Sequence, residues 1–92
     1  MPRYMRDLRR TIADIVSRKE NKRSTLQQYW IVDTQVENAL GIMIPAKAPV
    51  KINWLIRKLE QRGWYTVSQH IVKSSGRDRS ISFTNLVLRK EE

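Results

Sequence analysis

The sequence predicts an α+β protein in which three helices are followed by a two-stranded β-hairpin. In the first two-thirds of the chain, apolar residues recur at three- and four-residue steps, which is the spacing of one helix face. After Gly63 the step shortens to two residues, the period of a half-buried strand. We expect a single domain over residues 1–92, with residues 1–2 and 89–92 frayed.

The first helix is predicted over residues 3–18. Its apolar residues return at helical spacing and are expected to face the core: Met5, Leu8, Ile12, Ile15 and Val16. Arginines occupy much of the remaining surface, and Asp14 and Arg18 are spaced for an i, i+4 ion pair. These arginines fit a solvated surface as well as they fit contact with phosphate groups.

Two segments connect the first helix to the second. Residues 19–25 contain no apolar side chain and predict an exposed loop. Residues 26–32 fit a short, mostly buried strand, and they fit equally well a helix that begins at Ser24. The pattern leaves both interpretations open.

The second helix is predicted to begin at Thr34 and to end at Gly41. Thr34 and Glu37 have the spacing of a capping box, in which each side chain bonds a free backbone N–H group of the other residue. Glycine commonly ends a helix because it adopts positive φ without strain. Pro45 and Pro49 then predict a loop over residues 43–49.

The third helix, residues 49–63, has the clearest pattern in the chain. Proline suits its first position and glycine its end. One face is apolar, through Ile52, Leu55, Ile56 and Leu59. A helical wheel places four residues opposite this face, Asn53, Trp54, Arg57 and Gln61, with two lysines on its shoulder, Lys51 and Lys58.

A β-hairpin is predicted after Gly63. In its first strand, Tyr65, Val67 and Ile71 are expected to be buried, because they alternate with polar residues. Residues 73–79 form a polar turn that contains the cations Lys73, Arg77 and Arg79 around a glycine.

The return strand of the hairpin shows a change of phase. Ile81 and Phe83 alternate with polar residues, but Leu86 and Leu88 continue one position out of step. A β-bulge at Asn85 is the expected cause. Of the aromatic residues, Trp30 is expected in the core, and one of Trp64 and the following tyrosine is expected in the core with the other at its rim.

Charge favours a polyanionic partner. Eighteen Lys and Arg against nine Asp and Glu give 92 residues a formal net charge of +9. Lysine and arginine bind phosphates with release of condensed counterions, so nucleic acid is the expected ligand. No segment is apolar and long enough to span a bilayer and no signal peptide is recognisable, so a cytoplasmic location without membrane association is expected.

The residue inventory argues against enzymatic chemistry. The chain has no cysteine, and His70 is its only histidine, so a structural zinc site lacks ligands. One histidine in a predicted hairpin gives no Ser-His-Asp arrangement, and three isolated glycines give no phosphate-binding loop. We therefore expect a binding domain, with no cofactor, no metal and no catalytic residue.

The predicted order of elements is that of a winged helix-turn-helix. In that fold the third helix enters the major groove and the hairpin wing contacts neighbouring backbone. The residues expected to bind nucleic acid are Lys47, Lys51, Asn53, Trp54, Arg57, Lys58, Gln61, Lys73, Arg77 and Arg79. Trp54 also fits packing beneath the 43–48 loop or a protein interface.

Residues 31–84 resemble a known family. The run V-D-T-Q-V-E-N-A-L-G-I, a proline-containing loop, I-N-W-L-I-R-K-L-E-Q-R-G-W and a hairpin with G-R-D-R-S are similar to the winged-helix C-terminal domain of virulence-associated protein E type replication helicases of phages and pathogenicity islands. The helicase ATPase is absent from this chain, and a stand-alone phage or plasmid regulator fits equally well. The resemblance implies DNA handling in replication or transcription control, through Arg57, Lys58 and Arg77.

Two functions from different classes follow from the sequence. The first is duplex DNA binding by a monomer or homodimer. The second is docking on a replication or transcription protein, which an exposed apolar surface formed by Met43, Ile44 and Trp54 would favour. Stacking of single-stranded nucleic acid on exposed aromatic residues is a third interpretation.

Overall fold

The chain folds into two helices and a four-stranded antiparallel sheet. The computed structural model describes residues 3–17, 29–36, 38–47, 51–75 and 80–91. Within them the order of elements is α1 (Arg3–Ser17), β1 (Trp30–Asp33), β2 (Ala39–Pro45), α2 (Ile52–Glu60), β3 (Trp64–Ser75) and β4 (Ser80–Lys90). The strands lie in the order β1–β2–β4–β3, and every neighbouring pair is antiparallel.

Both helices pack on one face of the sheet, which we call the inner face. From α1 the core receives Leu8, Ile12 and Ile15, as the helical spacing predicted, and from α2 it receives Leu55 and Leu59. The inner face contributes the remaining buried side chains, Leu40, Ile42, Ile44, Trp64, Leu86 and Leu88. The other face of the sheet, called the outer face, carries no helix from the described part of the chain.

The elements form two successive α–β–β units. The first is α1–β1–β2 and the second is α2–β3–β4, and the units meet where β2 pairs with β4 at the centre of the sheet. Because β2 and β4 are antiparallel, the two hairpins turn at opposite ends. We call these the β1–β2 end, where Asp33 pairs with Leu40, and the β3–β4 end, where Ser75 pairs with Ser80.

The predicted helix at residues 34–41 is wrong. Thr34 receives a 3.3 Å hydrogen bond from the Val36 N–H and donates a 2.8 Å bond to the Ala39 carbonyl, which closes the turn between β1 and β2. Asn38 in this turn has φ 62°, a value that asparagine tolerates better than most residues. Glu37 of the predicted capping box lies outside the described residues.

The predicted loop at residues 43–49 is also wrong in its first part, because Met43–Pro45 complete β2. Pro45 is the last residue of this strand. The fold is therefore α+β, but it is not three helices with a two-stranded wing. Segment 26–32, for which strand and helix were both open, contains the start of β1.

The β3–β4 hairpin exists but its faces and its bulge differ from the prediction. Tyr65, Val67 and Ile71 are exposed, with Ile71 70% accessible, while Trp64 is buried. The bulge lies between Thr66 and Ser68, so Val67 is the inserted residue. The change of phase in β4 arises because both faces of this strand carry apolar residues, so no bulge at Asn85 is required.

The helix α2 is shorter at both ends than the predicted helix over residues 49–63, and the face that it turns to the core is largely the predicted one. Lys51 is the N-cap, and Gly63, with φ 87°, follows the last turn, as expected for a glycine after a helix. Trp54 is half-buried and packs against the core, so its predicted position opposite the apolar face is wrong. The predicted frayed tail is also wrong for Arg89 and Lys90, which belong to β4.

Candidate nucleic-acid interface

Two of the predicted lysines flank one position of β4 at the β3–β4 end. The Ala46 N–H donates a 2.9 Å hydrogen bond to the Ser82 carbonyl, which places Lys47 beside β4. On the other side of β4, Lys73 is the register partner of Ser82. Both lysine side chains are exposed. The pairing thus brings together two cations that are 26 positions apart in the sequence.

Lys51 joins the same end of the molecule. It lies four residues after Lys47, so the two Cα atoms are at most about 14 Å apart. As the N-cap of α2 it is exposed, and the first turn of α2 contains no acidic residue. The unbonded N–H groups at a helix start carry partial positive charge, which adds to that of the lysines.

The carboxylates of the described residues lie toward the other end of the sheet. Asp7 is 3.3 Å from the Lys90 Nζ and Asp14 is 2.9 Å from Arg62. The remaining three stand at the end of β1, the end of α2 and just after β4: Asp33, Glu60 and Glu91. The lysines at the β3–β4 end therefore have no carboxylate of the described residues placed beside them.

The exposed face of α2 carries a second group of predicted residues. Asn53, Arg57 and Gln61 are exposed, as the helical wheel indicated, whereas Lys58 is half-buried. The helix therefore presents Arg57 to solvent on the side away from the sheet. Arg77 and Arg79 lie outside the described residues, so they remain sequence predictions, as does the ion pair of Asp14 with Arg18.

Three exposed arginines of α1 were noted in the sequence but not assigned to the site: Arg6, Arg9 and Arg10. They form no ion pair with another described residue. Burial raises the pKa of the Tyr29 phenol, and the positive charge of the nearby Arg9 opposes this rise. Their position on the helix could be predicted, but their distance from the lysines depends on packing.

The outer face of the sheet carries a row of side chains that the sequence did not reveal as a group. The register aligns Trp30, Met43, Asn85 and His70 across the four strands. Asn85 Nδ2 and His70 Nε2 are 3.1 Å apart, at hydrogen-bond distance. Trp30 was expected in the core, but it is 50% exposed here, because no described helix covers this face.

Tyr65 and Arg89 face each other at the β1–β2 end of the outer face. The Tyr65 hydroxyl donates a 2.9 Å hydrogen bond to Glu91 Oε2, and this bond is the main reason that the pKa of the phenol is raised. These residues border a shallow depression of about 390 Å³ that also contacts Val67 and Lys90.

Comparisons with known proteins add no family assignment: no protein-family model, curated protein or solved structure matches the chain. The resemblance to virulence-associated protein E helicases stays a prediction. Among the described residues, no three His, Cys, Asp or Glu side chains are grouped so that they could hold a metal ion. Neither described helix is sufficiently long and apolar to cross a membrane.

Proposed function

We propose that this protein is a non-enzymatic DNA-binding domain that contacts the phosphates of duplex DNA through its β3–β4 end. The observation that carries the proposal is the meeting of Lys47, Lys51 and Lys73 at this end, while the described carboxylates lie toward the other. The resemblance implies a setting in phage or plasmid replication or transcription control.

Lysine side chains at the end of a narrow sheet suit phosphate contact rather than base recognition. Each is a flexible point charge that a phosphate oxygen can approach from several directions. Such contacts position a protein on a duplex without reading its sequence. We therefore expect binding with little sequence preference that weakens strongly as salt concentration rises.

A charge-matched pair of triple variants tests this assignment. The first replaces Lys47, Lys51 and Lys73 by glutamine, and the control replaces Arg6, Arg9 and Arg10 by glutamine, so both lose three charges. Fluorescence anisotropy measures the affinity for a 20-bp duplex between about 50 and 200 mM salt. The lysine variant should reduce the slope of log K against log salt by about 2.7, which is three contacts at about 0.9 each.

The control should keep most of the slope, because its charges lie on α1. Equal losses in the two variants would mean that net charge alone drives binding and that the β3–β4 end has no special role. Affinity of the unmodified protein that stays flat across the salt range would remove DNA binding itself.

Docking on a replication or transcription protein is the alternative that the sequence raised. The apolar surface expected to favour it does not form as expected, since Ile44 is 1% exposed and both Met43 and Trp54 are half-buried. Among the described residues, the remaining feature that would suit a protein partner is a set of exposed apolar side chains, Trp30, Val67 and Ile81.

A further inference from the structure

The outer face of the sheet carries no helix from the described part of the chain. It combines the aromatic pair Trp30 and Phe83 with two exposed cations, Arg89 at one end and Lys47 at the other. We propose that this face is a stacking surface for an unpaired segment of a DNA strand. The inference rests on the proposed DNA binding and adds to it a second surface with a different ligand preference.

The aromatic pair is held in place and yet accessible. Trp30 and Phe83 meet edge to face, with their ring centroids 5.7 Å apart and their planes at 77°. Because half of the Trp30 surface is exposed, Phe83 fixes the ring and still leaves part of it free for a ligand. Unpaired bases stack on aromatic side chains held in this way, largely independently of sequence.

Polar groups lie beside this pair at the centre of the face. Asn85 and His70 continue the row that begins at Trp30, and their side chains are joined to each other. Asn85 Oδ1 is buried and Asn85 Nδ2 is engaged with the His70 ring, so the exposed imidazole of His70 is the group that can exchange hydrogen bonds with base edges. Gly41 has no side chain at the neighbouring position, and Val32 Cγ2 and Asn85 Oδ1 approach each other over it.

Charge decides between the occupants that an apolar face could take. The described strand residues that point to the outer face include Arg89 and no carboxylate, and the nearby Glu91 is held by the Tyr65 hydroxyl. A second copy of a chain with net charge +9 would be repelled. A duplex would bring its charged backbone onto apolar side chains.

An unpaired strand avoids both problems. Its bases are flat and apolar enough to cover Trp30, and its phosphates can turn toward Arg89 and toward Lys47 beyond the end of β2. The same ligand can remain paired where it meets the β3–β4 end. A duplex with a single-stranded overhang is thus the form of DNA that fits both surfaces.

The experiment compares four proteins on three DNA probes. The proteins are the unmodified chain, Trp30→Thr, the matched control Ile71→Thr, and the triple lysine variant. Both threonine changes remove an exposed apolar side chain from the sheet, but Ile71 lies on the inner side. The probes are a blunt 16-bp duplex, the same duplex with a ten-nucleotide dT overhang, and one whose overhang consists of abasic nucleotides.

We expect the dT overhang to increase affinity by about fivefold or more, since stacking of a single base already has an effect of that size. Ile71→Thr should retain this increase, while Trp30→Thr should lose it and keep its affinity for the blunt duplex. The abasic overhang, which has the same phosphates, should give no comparable increase. Intrinsic tryptophan fluorescence of the unmodified chain should be quenched by the dT overhang alone.

Several outcomes would overturn the inference and leave the proposed function intact. One is an increase in affinity from the abasic overhang that equals the increase from the dT overhang. Another is an increase in affinity that persists in Trp30→Thr. A third, which needs no variant, is tryptophan fluorescence that stays unchanged when the dT-overhang probe saturates the protein. A dimer in sedimentation that Trp30→Thr dissociates would show instead that a second copy covers the face. Failure of every probe to bind, by contrast, would remove the proposed function itself.

Discussion

Gly41 illustrates how one residue fixes the centre of the sheet. A Cβ atom at this position would lie 2.8 Å from Val32 Cγ2 and 3.1 Å from Asn85 Oδ1, both too close for an ordinary contact. From the sequence, this glycine was expected to end a helix. Its actual function is to let the β1 and β4 side chains approach each other over β2.

Gly41→Ala should therefore lower the free energy of unfolding by about 1–3 kcal/mol, the usual cost of overpacking. Shortening the opposing side chain in Gly41→Ala/Val32→Ala should recover part of this loss. Urea denaturation of both single variants and the double variant gives the coupling between the sites. Strictly additive effects would mean that the alanine meets Val32 without strain.

The three tryptophans show why burial of a single aromatic residue is hard to predict. Trp64 is fully buried, with Tyr4 at 6.3 Å and the Lys90 Nζ 5.3 Å from its ring centre. Trp54 packs partly against the core, whereas Trp30 is half-exposed. Each of the three lies in a segment with apolar neighbours. Their burial depends on which side of the sheet the helices occupy, and local sequence does not encode this.

The amphipathic helix α2 links the core to the exposed Arg57. Leu55 and Leu59 are both completely buried, one turn apart, between the helix and the sheet. Leu55→Ala and Leu59→Ala should each destabilise the protein by about 2–5 kcal/mol, because each leaves a cavity.

Arg57→Ala, on the exposed face of the same helix, is the matched control and should change stability by at most about 0.5 kcal/mol. Thermal and urea unfolding measure all three variants. Leucine variants as stable as this control would mean that α2 is rotated relative to the described packing.

The helices and the long hairpin could be predicted from the sequence, whereas the β1–β2 hairpin could not. Both helices bury one stripe and expose another, so their 3.6-residue period is visible locally. The strand β2 is buried on both faces, and a short run of apolar residues does not distinguish strand from helix. Thr34 and Glu37 also match a capping box by spacing alone. Whether this segment forms a strand or a helix is decided by its pairing with β4, which is distant in sequence.

For the molecule as a whole, the sequence supplied the charges but not their arrangement. Lys47, Lys51 and Lys73 were all predicted for the site. Pairing with β4 explains how Lys47 and Lys73 meet, and Lys51 is near them because it is four residues after Lys47 at the start of α2. The outer face was missed because its members come from four strands whose order was unknown. The alternation of Ile81, Phe83 and Asn85 along β4 could have indicated that they share one face. The bulge predicted at Asn85 led to a different assignment.

The succession of two α–β–β units also makes the chain divisible. A cut after Lys47 would separate the units and leave each hairpin intact, so the two fragments should reconstitute the parent when mixed. Ile42 and Leu86, both fully buried and paired across the junction, would drive this complementation.

Circular dichroism of the mixture should match that of the uncut protein, and Ile42→Lys in the first fragment should abolish the reconstitution. Reconstitution unaffected by that lysine would place the junction elsewhere. The lysines that we propose to contact DNA would then be shared between two polypeptides, so that DNA binding would report on their association.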